Sequence, residues 1–517
     1  MAVGPVAIRR WPGIIAATVV VALILGTLLA VGLRAEAGAG LGPADFAAIR
    51  FTVWQAFLSA TLSCLIAVPV ARALSRRRFA GRGLLILLLG APFILPVIVA
   101  VMGLITVFGR NGLLNGLLGA LGLPEVSIYG LHGVVLAHVF FNLPLATRLI
   151  LQGWAAIPAE RFRLAAQLGF GSRDTFRVLE LPMLGRVLPA AWAVIFAICL
   201  SSFAVALTLG GGPRATTVEL AIYQAFRFDF DLGKAALLSI VQIAMAGSAA
   251  LVALKLSRLD GFGGGLDRGI RRWDGHGRGL RLADSLFIAL AATFLILPLG
   301  MVVLRGIGGM ADLPASVWAA AVNSIWVALV STVLMLCFAL PMAVAASGKR
   351  TVVEAVGLLG IAASPLVIGT GLFIIVNPVA DPFALALPVT ALVNAVMALP
   401  FALRVMIPET RDVVQDYGRL SLSLNMNGWT WLRLVLLPRI RAPLGFAAGL
   451  AAALSMGDLG VIALFADPET ATLPLQMYRL MGAYRMQSAA GAALLLLALS
   501  LGLFWLFDKG GRGRAEA

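Results

Sequence analysis

The chain has 517 residues, of which 61% are hydrophobic and only 12% are charged, and its mean hydropathy is +0.98. These values exclude an ordinary soluble domain, because so few polar side chains cannot cover so large an apolar core. The formal net charge of +16 is compatible with binding to nucleic acid, with anionic lipid or with membrane topology, and the positions of the basic residues decide among these.

Apolar segments of about 20 residues recur along the chain, which is the length that a helix needs to cross a bilayer with its backbone polar groups satisfied. The sequence therefore predicts an all-α polytopic membrane protein with about twelve transmembrane helices. The predicted spans are 14–33, 52–74, 84–108, 131–152, 187–209, 234–256, 283–305, 319–346, 354–376, 384–406, 442–465 and 488–507.

The first predicted span could be mistaken for a secretory signal, because Arg9 and Arg10 precede it and Ala35-Glu36-Ala37 follows it. Its apolar run is longer than that of a signal peptide, so we expect an uncleaved helix. When the gaps between spans are assigned to alternate sides, most of the 40 Lys and Arg residues fall on the side of the N-terminus. By the positive-inside rule this predicts a multi-pass protein with both termini in the cytoplasm, and nucleic-acid binding becomes a remote alternative.

Cysteine and histidine residues give no pattern typical of a disulfide framework or a metal site. Each cysteine lies in an apolar run, and no histidine has carboxylate and cysteine neighbours at ligand spacing. These residues are Cys64, Cys199, Cys337, His132, His138 and His276. We therefore predict no metal and no cofactor.

The chain contains an internal repeat. Leu168-Gly169 through Pro182 is similar to Leu424-Asn425 through Pro438, at an offset of 256 residues. Each unit has six predicted helices, an even number, so both units enter the membrane in the same direction and form a parallel repeat. The predicted division is a first repeat over 1–256, a cytoplasmic linker rich in Gly, Arg and Asp over 257–282, and a second repeat over 283–517.

A cytoplasmic segment in each repeat combines an amphipathic stretch with a closing Leu-Pro. In the first copy the side chains of Leu164, Ala165, Leu168 and Phe176 are predicted on or near one helical face, with arginines outside it. Gly169 is predicted to end this helix, and Pro182 is predicted to start the next one. An exposed apolar helix face of this kind fits a groove on a partner.

The run Arg163-Leu-Ala-Ala-Gln-Leu-Gly169-Phe-Gly-Ser-Arg-Asp-Thr-Phe176-Arg-Val-Leu-Glu-Leu-Pro182 resembles the cytoplasmic signature of importer permeases of the ATP-binding-cassette class. That signature begins Glu-Ala-Ala, has a Gly six residues after the Glu and closes with Leu-Pro. In that class the loop forms a coupling helix seated in a cleft of the ATPase subunit. The resemblance implies coupling residues at Arg163, Leu164, Ala165, Gly169, Phe176 and Pro182, and in the second copy at Arg419, Leu420, Asn425, Leu432 and Pro438.

This chain departs from the signature at three positions. Arg163 and Arg419 replace the leading Glu, and Asn425 replaces the Gly of the second copy. The charge pairing expected at the Glu position is therefore in doubt. The docking role that the resemblance gives to Gly169, Phe176 and Pro182 is unaffected.

Longer runs are similar to the permease of thiamine importers over nearly the whole chain. They are Leu209-Gly-Gly-Gly-Pro213 through Tyr223, Ser455-Met-Gly-Asp458 through Phe465, Thr472-Leu-Pro474 and Tyr484-Arg-Met-Gln487. This resemblance implies a transmembrane pathway for thiamine and its phosphate esters, a periplasmic thiamine-binding protein that delivers them, and two copies of a cytoplasmic ATPase. Similar fused permeases for ferric iron are the nearest alternative.

The sequence lacks the G-x-x-x-x-G-K-[ST] phosphate cradle, so we expect a transport subunit and not an enzyme, with ATP hydrolysis on separate subunits. A proton- or sodium-driven carrier would need more intramembrane carboxylates, and a membrane enzyme would need a cluster of catalytic side chains. Both remain as minor alternatives.

Polar residues inside spans are costly and often mark a substrate pathway, although many only bind neighbouring helices. The carboxylate of Asp458 could neutralise the fixed positive charge of thiamine, or it could make a structural hydrogen bond. Phe196, Phe203 and Tyr223 could surround a quaternary nitrogen. The candidate pathway residues are Ser202, Phe203, Tyr223, Ser455 and Asp458, and further polar positions in spans are Asn142, Ser201, Thr208, Asn323 and Asn394.

Overall fold

The computed structural model describes residues 11–35, 40–90, 94–212, 215–256, 272–275, 277–347, 351–362, 364–426, 428–465, 467 and 469–512. Within these ranges the secondary structure is helical and contains no strand. Several sequence predictions lie outside them, among them those on Arg9, Arg10 and most of the linker. The division of the chain at 257–282 therefore stays a prediction.

In the described part of the chain, twelve helices precede the linker. They are α1 (Trp11–Arg34), α2 (Pro43–Arg76), α3 (Arg82–Leu88), α4 (Val97–Phe108), α5 (Leu113–Ala120), α6 (Leu131–Ala155), α7 (Ala159–Gln167), α8 (Ser172–Thr175), α9 (Leu181–Leu200), α10 (Phe203–Leu209), α11 (Val218–Arg227) and α12 (Leu232–Leu256). A π-helical turn, Phe176–Glu180, joins α8 to α9.

Among the described residues after the linker there are eleven helices, and they repeat the order of long and short elements. They are α13 (Arg278–Gly309), α14 (Ala315–Ala346), α15 (Thr351–Ala362), α16 (Pro365–Val376), α17 (Ala386–Ser423), α18 (Gly428–Trp431), α19 (Leu437–Arg439), α20 (Arg441–Met456), α21 (Gly460–Phe465), α22 (Leu473–Gly482) and α23 (Met486–Arg512). A π-helical turn, Leu432–Leu436, joins α18 to α19, and a 3₁₀ turn, Met310–Asp312, follows α13.

Eleven helical segments of the described chain are long and apolar enough to cross a membrane, which confirms the all-α polytopic fold class. The predicted span 84–108 is divided into α3 and α4, and the membrane-length segment there is Val97–Ala120. The difference from the predicted twelve arises at span 354–376. This segment is divided into α15 and the shorter apolar helix α16, which begins at Pro365. The ring of proline has no N–H and restricts the residue before it, so the helix restarts there although the hydropathy remains high.

The first helix of each half packs on the opposite half. α1 packs on α14 and α16, whereas α13 packs on α2 and α4. Glycine permits both crossings, because a Cβ added to Gly371 would lie 2.6 Å from the backbone oxygen of Thr27, and one added to Gly103 would lie 2.6 Å from that of Pro298. Close backbone approach through small residues is the usual way in which membrane helices associate.

A second contact also recurs in both halves. The Thr52 hydroxyl on α2 accepts a hydrogen bond at 2.9 Å from the backbone N–H of Val218, the first residue of α11. The Ser324 hydroxyl on α14 accepts one from Leu473, the first residue of α22, at 2.7 Å. A long helix in each half thus satisfies an N-terminal donor of a short helix that would otherwise be unpaired.

Candidate functional site

The first of the two predicted coupling segments, residues 163–182, is here called the first elbow. α7 ends at Gln167, and Gly169 follows with φ of +68°, a left-handed conformation that glycine adopts without steric cost. The Phe170 N–H then returns to the Ala165 carbonyl at 3.0 Å. The predicted helix end at Gly169 is confirmed.

The second predicted coupling segment, residues 419–438, is the second elbow. It closes with the same bond, from the Met426 N–H to the Ser421 carbonyl at 2.8 Å, and Asn425 takes the left-handed position with φ of +51°. Asparagine is among the few residues that tolerate this conformation, which explains how it can replace glycine here. The two elbows differ in the helix that leads into them. In the second half α17 runs without interruption through Ser423, whereas in the first half α6 and α7 are separate helices.

Pro182 lies at the start of α9, as predicted, but α9 is not separated from the helix before it. An unbroken helical run extends from Ser172 to Leu200, and Pro182 lies within it, directly after the π-helical turn Phe176–Glu180. Pro438 follows the corresponding turn Leu432–Leu436. Proline cannot donate the hydrogen bond of the preceding helical turn, and the wider π turn is the local adjustment seen at both sites.

Two leucines on each elbow are exposed and lie one helical turn apart, Leu164 with Leu168 and Leu420 with Leu424. The sequence prediction had assigned Ala165 to the same face as the leucines. The structure instead buries Ala165, together with the preceding Phe162, against the bundle. The exposed leucines therefore form a separate face that projects away from the protein.

The remaining elbow residues flank these leucine faces. Arg163, Arg419, Pro182 and Pro438 are exposed, and Leu432 is half-buried. Phe176 is also half-buried, with the Arg72 guanidinium 4.4 Å from its ring centroid. Arginine at the position of the signature Glu thus points to solvent in both copies.

The candidate pathway residues meet where two long helices are interrupted at corresponding positions. α9 ends at Leu200 and α10 restarts at Phe203, which leaves Ser202 in the break. α20 ends at Met456 and α21 restarts at Gly460, which leaves Asp458 in the break. The expectation that Asp458 lies within a helix is therefore wrong, since it occupies an unwound turn where backbone polar groups are accessible.

Hydrogen bonds tie each break to the neighbouring long helix. The His138 imidazole on α6 bonds to the Ser202 hydroxyl through Nε2 and to the Ser59 hydroxyl through Nδ1, the latter at 3.2 Å. In the other half, the Asn394 amide on α17 donates to the Ser455 hydroxyl at 3.0 Å. His138 was considered only as a metal ligand from the sequence. Its actual role is to connect two polar side chains.

One carboxylate oxygen of Asp458 is satisfied and the other is not. Oδ1 accepts from the Gly460 N–H at 3.2 Å, whereas Oδ2 is buried and makes no hydrogen bond of normal geometry with the described residues, although the N–H groups of Val461 and Ile462 and the Asn394 amide lie beside the carboxylate. A Cβ added to Gly460 would lie 3.8 Å from both Asp458 Oδ1 and Phe203 Cδ1, so this carboxylate and a ring of the first half both flank Gly460. A buried carboxylate oxygen without a donor is suited to a cationic ligand.

Two of the three predicted cage aromatics meet. The rings of Phe203 and Tyr223 pack edge to face with centroids 5.2 Å apart, and Phe228 packs on Tyr223 at 5.7 Å. Phe196 instead stacks on Trp192 at 5.0 Å in the packing around α2 and α9. The predicted cage of three aromatics is therefore not formed, and Phe203 and Tyr223 stay together as one apolar wall beside Asp458.

Glu219 is a buried residue at this site that sequence reasoning did not select. Its Oε1 accepts hydrogen bonds from the Ser364 hydroxyl of the second half and from the Gln242 amide, the latter at 3.4 Å. Glu219 lies in a run quoted for the family resemblance, but nothing in that run indicates a partner across the repeat. In the described residues no group of three or more His, Cys, Asp or Glu side chains could hold a metal ion.

Comparison with known proteins gives full-length relatives, although no protein-family model matches the chain. The thiamine transport system permease protein of Salmonella typhimurium is 41% identical over 516 residues, which is 96% of this chain and 96% of that protein. The protein of that name from Escherichia coli is 40% identical over 518 residues, with 96% of each chain covered. The one from Brucella abortus is 39% identical over 509 residues, 95% of this chain and 93% of that protein.

Proposed function

The chain belongs to the family of thiamine transport system permeases, and we propose on that premise that its two elbows and its paired helix breaks move thiamine across the membrane. It is a multi-pass membrane protein with a transport function. The alternative of ferric iron is not favoured, because relatives that match nearly the whole chain are named for thiamine.

The elbows are the docking sites for two copies of a separate ATPase subunit. Each presents two exposed leucines one turn apart, directly before a helix end fixed by a left-handed residue at Gly169 or Asn425. Short amphipathic helices of this kind bind in grooves of partner proteins. Because two elbows of matching form are present on one chain, a dimeric ATPase can hold both at once.

ATP drives transport by changing the distance between the elbows. When two ATPase subunits close on ATP, they draw the elbows together, and the long helices that carry them tilt as rigid bodies. α9 leads from the first elbow to the break at Ser202, and α20 follows the second elbow and leads to the break at Asp458. Movement at the elbows is thus transmitted along α9 in the first half and along α20 in the second half to the pathway.

Thiamine passes between the two breaks. Its fixed positive charge is met by Asp458 Oδ2, and its rings pass the aromatic wall of Phe203 and Tyr223. A single carboxylate provides weak selectivity. Recognition therefore resides mainly on a periplasmic thiamine-binding protein, which docks on segments 210–233 and 466–487 and also delivers the phosphate esters.

The orientation follows from the basic residues. With the elbows in the cytoplasm, both termini lie on the same side, and the protein resides in the bacterial inner membrane. ATP hydrolysis belongs to the partner subunits.

Reconstitution tests this function. Proteoliposomes that contain the chain, the ATPase subunit and the binding protein should accumulate labelled thiamine only when ATP is supplied on the elbow side. Omission of either partner should abolish uptake. Uptake that persists without the ATPase and follows a proton or sodium gradient would instead favour a secondary carrier, and accumulation of ferric iron in place of thiamine would refute the substrate.

A further inference from the structure

A buried carboxylate anchors the first elbow. Glu180 ends the π-helical turn and is fully buried, with 0% of its surface exposed. Its Oε2 accepts from Arg72 Nε on α2 at 2.6 Å, and its Oε1 accepts from the guanidinium of Arg272. Arg72 lies on a transmembrane helix, whereas Arg272 lies in the short segment 272–275 just before α13.

Segment 272–275 contacts the elbow region at three points. Arg272 pairs with Glu180, which follows the turn at Gly169. Its guanidinium also lies 5.0 Å from the ring centroid of Phe162, the residue before the elbow. The indole N–H of Trp273 donates to the Phe170 carbonyl at 3.0 Å, directly after Gly169. Contacts before, at and after the turn fix the orientation of the elbow as well as its position.

The other side of segment 272–275 is tied to α2 and α13. Asp274 pairs with Arg272 at 2.7 Å and lies 3.7 Å from Arg76 Nε. Arg77 pairs with Asp284 on α13 at 2.7 Å, and Arg76 lies 3.7 Å from the same carboxylate. A chain of charged groups therefore leads from the first elbow to the first helix of the second half.

The charge of Asp274, in the middle of these ion pairs, is set by its arginine neighbours. Burial alone would raise the pKa of the Asp274 carboxyl, but hydrogen bonds from Arg272 and the charges of Arg272 and Arg76 lower that pKa below its ordinary value. Asp274 is thus ionised at neutral pH. Loss of one partner would leave the other charge buried and uncompensated.

The second elbow does not repeat this anchor. Leu436, which is also buried, stands at the position that corresponds to Glu180. The residues that flank the second elbow contact each other instead, because the guanidinium of Arg439, directly after it, lies 3.6 Å from the ring centroid of Tyr417, two residues before it. The two elbows thus present similar leucines but are held by different means.

We propose that Arg272, Trp273 and Asp274 are positioning residues that fix the first elbow to α2 and α13. This inference rests on the proposed function, in which the elbow docks an ATPase subunit. Movement imposed at the first elbow is transmitted along α9, and it is also transmitted to α13 of the other half through the ion pairs that lead from Arg272 to Asp284. The segment therefore determines how much of the ATPase movement becomes transport, and it does not itself bind the ATPase.

The test compares uptake per ATP hydrolysed in proteoliposomes that contain the full chain, the ATPase subunit and the binding protein. Arg272→Gln should lower this ratio by about fivefold or more, with ATPase affinity within about twofold of wild type, because the exposed leucines remain. Arg272→Lys keeps the charge and should restore part of the ratio. Arg281→Gln, at an exposed position near the start of α13, is the matched control and should leave the ratio unchanged.

An unchanged ratio in Arg272→Gln would overturn the inference. If that variant does not accumulate, Trp273→Phe decides, because it removes one N–H and no charge: a lowered ratio supports the inference and an unchanged ratio overturns it. Failure of the wild-type chain to bind the ATPase subunit would overturn the proposed function itself, which distinguishes the two failures.

Discussion

Leu164 and Leu420 occupy corresponding positions on the two elbows and are exposed to almost the same degree, 56% and 54%. The leucine one turn further along matches as well, with Leu168 at 62% and Leu424 at 61%. Exposed apolar side chains of this size on a polar face indicate a surface that a partner covers. Their equivalence indicates that one kind of partner covers both.

Charged substitutions of the elbow leucines should prevent ATPase binding. The pair Leu164→Glu and Leu168→Glu, combined with Leu420→Glu and Leu424→Glu, removes the apolar contact from both docking sites, and affinity should fall by at least about tenfold. Co-purification with the ATPase subunit measures this. Leu121→Ser replaces a leucine that is even more exposed but belongs to another loop, and it should bind normally. Normal binding by the fourfold variant would contradict the docking assignment.

Removal of the Asp458 charge should slow transport. Asp458→Asn keeps an oxygen that can accept from Gly460 but removes the negative charge that meets the thiamine cation, so uptake should fall by about tenfold. ATPase association should not change. Asp381→Asn, in an exposed turn before α17, serves as the control in the same uptake assay. If Asp458→Asn transports at the wild-type rate, the carboxylate has only the structural role.

The close packing of α1 on α16, which belong to opposite halves, should not tolerate a side chain at Gly371. The Cβ in Gly371→Ala would meet the Thr27 backbone 2.6 Å away, so overpacking should destabilise the protein by about 1–3 kcal/mol. The midpoint of thermal unfolding in detergent should fall accordingly. Gly26→Ala is the matched control, because Gly26 precedes Thr27 on the same helix and has nothing within 4 Å of an added Cβ. Equal midpoints for the two variants would disprove this close crossing.

The hydroxyl of Thr52 should contribute to the stability of α11. Thr52→Val keeps the shape but leaves the buried N–H of Val218 without an acceptor, at a cost of about 1–2 kcal/mol. Thr18→Val removes a hydroxyl that bonds only within its own helix and is exposed, so its cost should be near zero. Thermal unfolding of both variants measures the difference, and a cost for Thr52→Val no greater than for Thr18→Val would contradict it.

Local chemistry in the sequence was sufficient for several features. The left-handed residue at Gly169 follows from the conformational freedom of glycine, and most of the spans follow from hydropathy alone. The break at Pro365 and the unwound turn at Asp458 were not predicted, because hydropathy averaged over some 20 residues does not detect an interruption of one to three residues.

Contacts between distant segments could not be predicted from the sequence. Glu180 was visible as part of the elbow, but its pairing with Arg272 joins residues 92 positions apart. Phe196 and Phe203 are near in sequence, yet the break before α10 directs them to different neighbours. Periodicity places residues on a face of one helix, and tertiary packing decides what that face meets.

Photo-crosslinking tests the central claim most directly. A benzoyl-phenylalanine placed at Leu164 or at Leu420, in the chain assembled with the ATPase subunit in membranes, should form a covalent adduct with that subunit from both positions. The same probe at Leu121 should form none. Adducts from only one elbow, or from Leu121 and neither elbow, would contradict the account in which two equivalent elbows dock the ATPase.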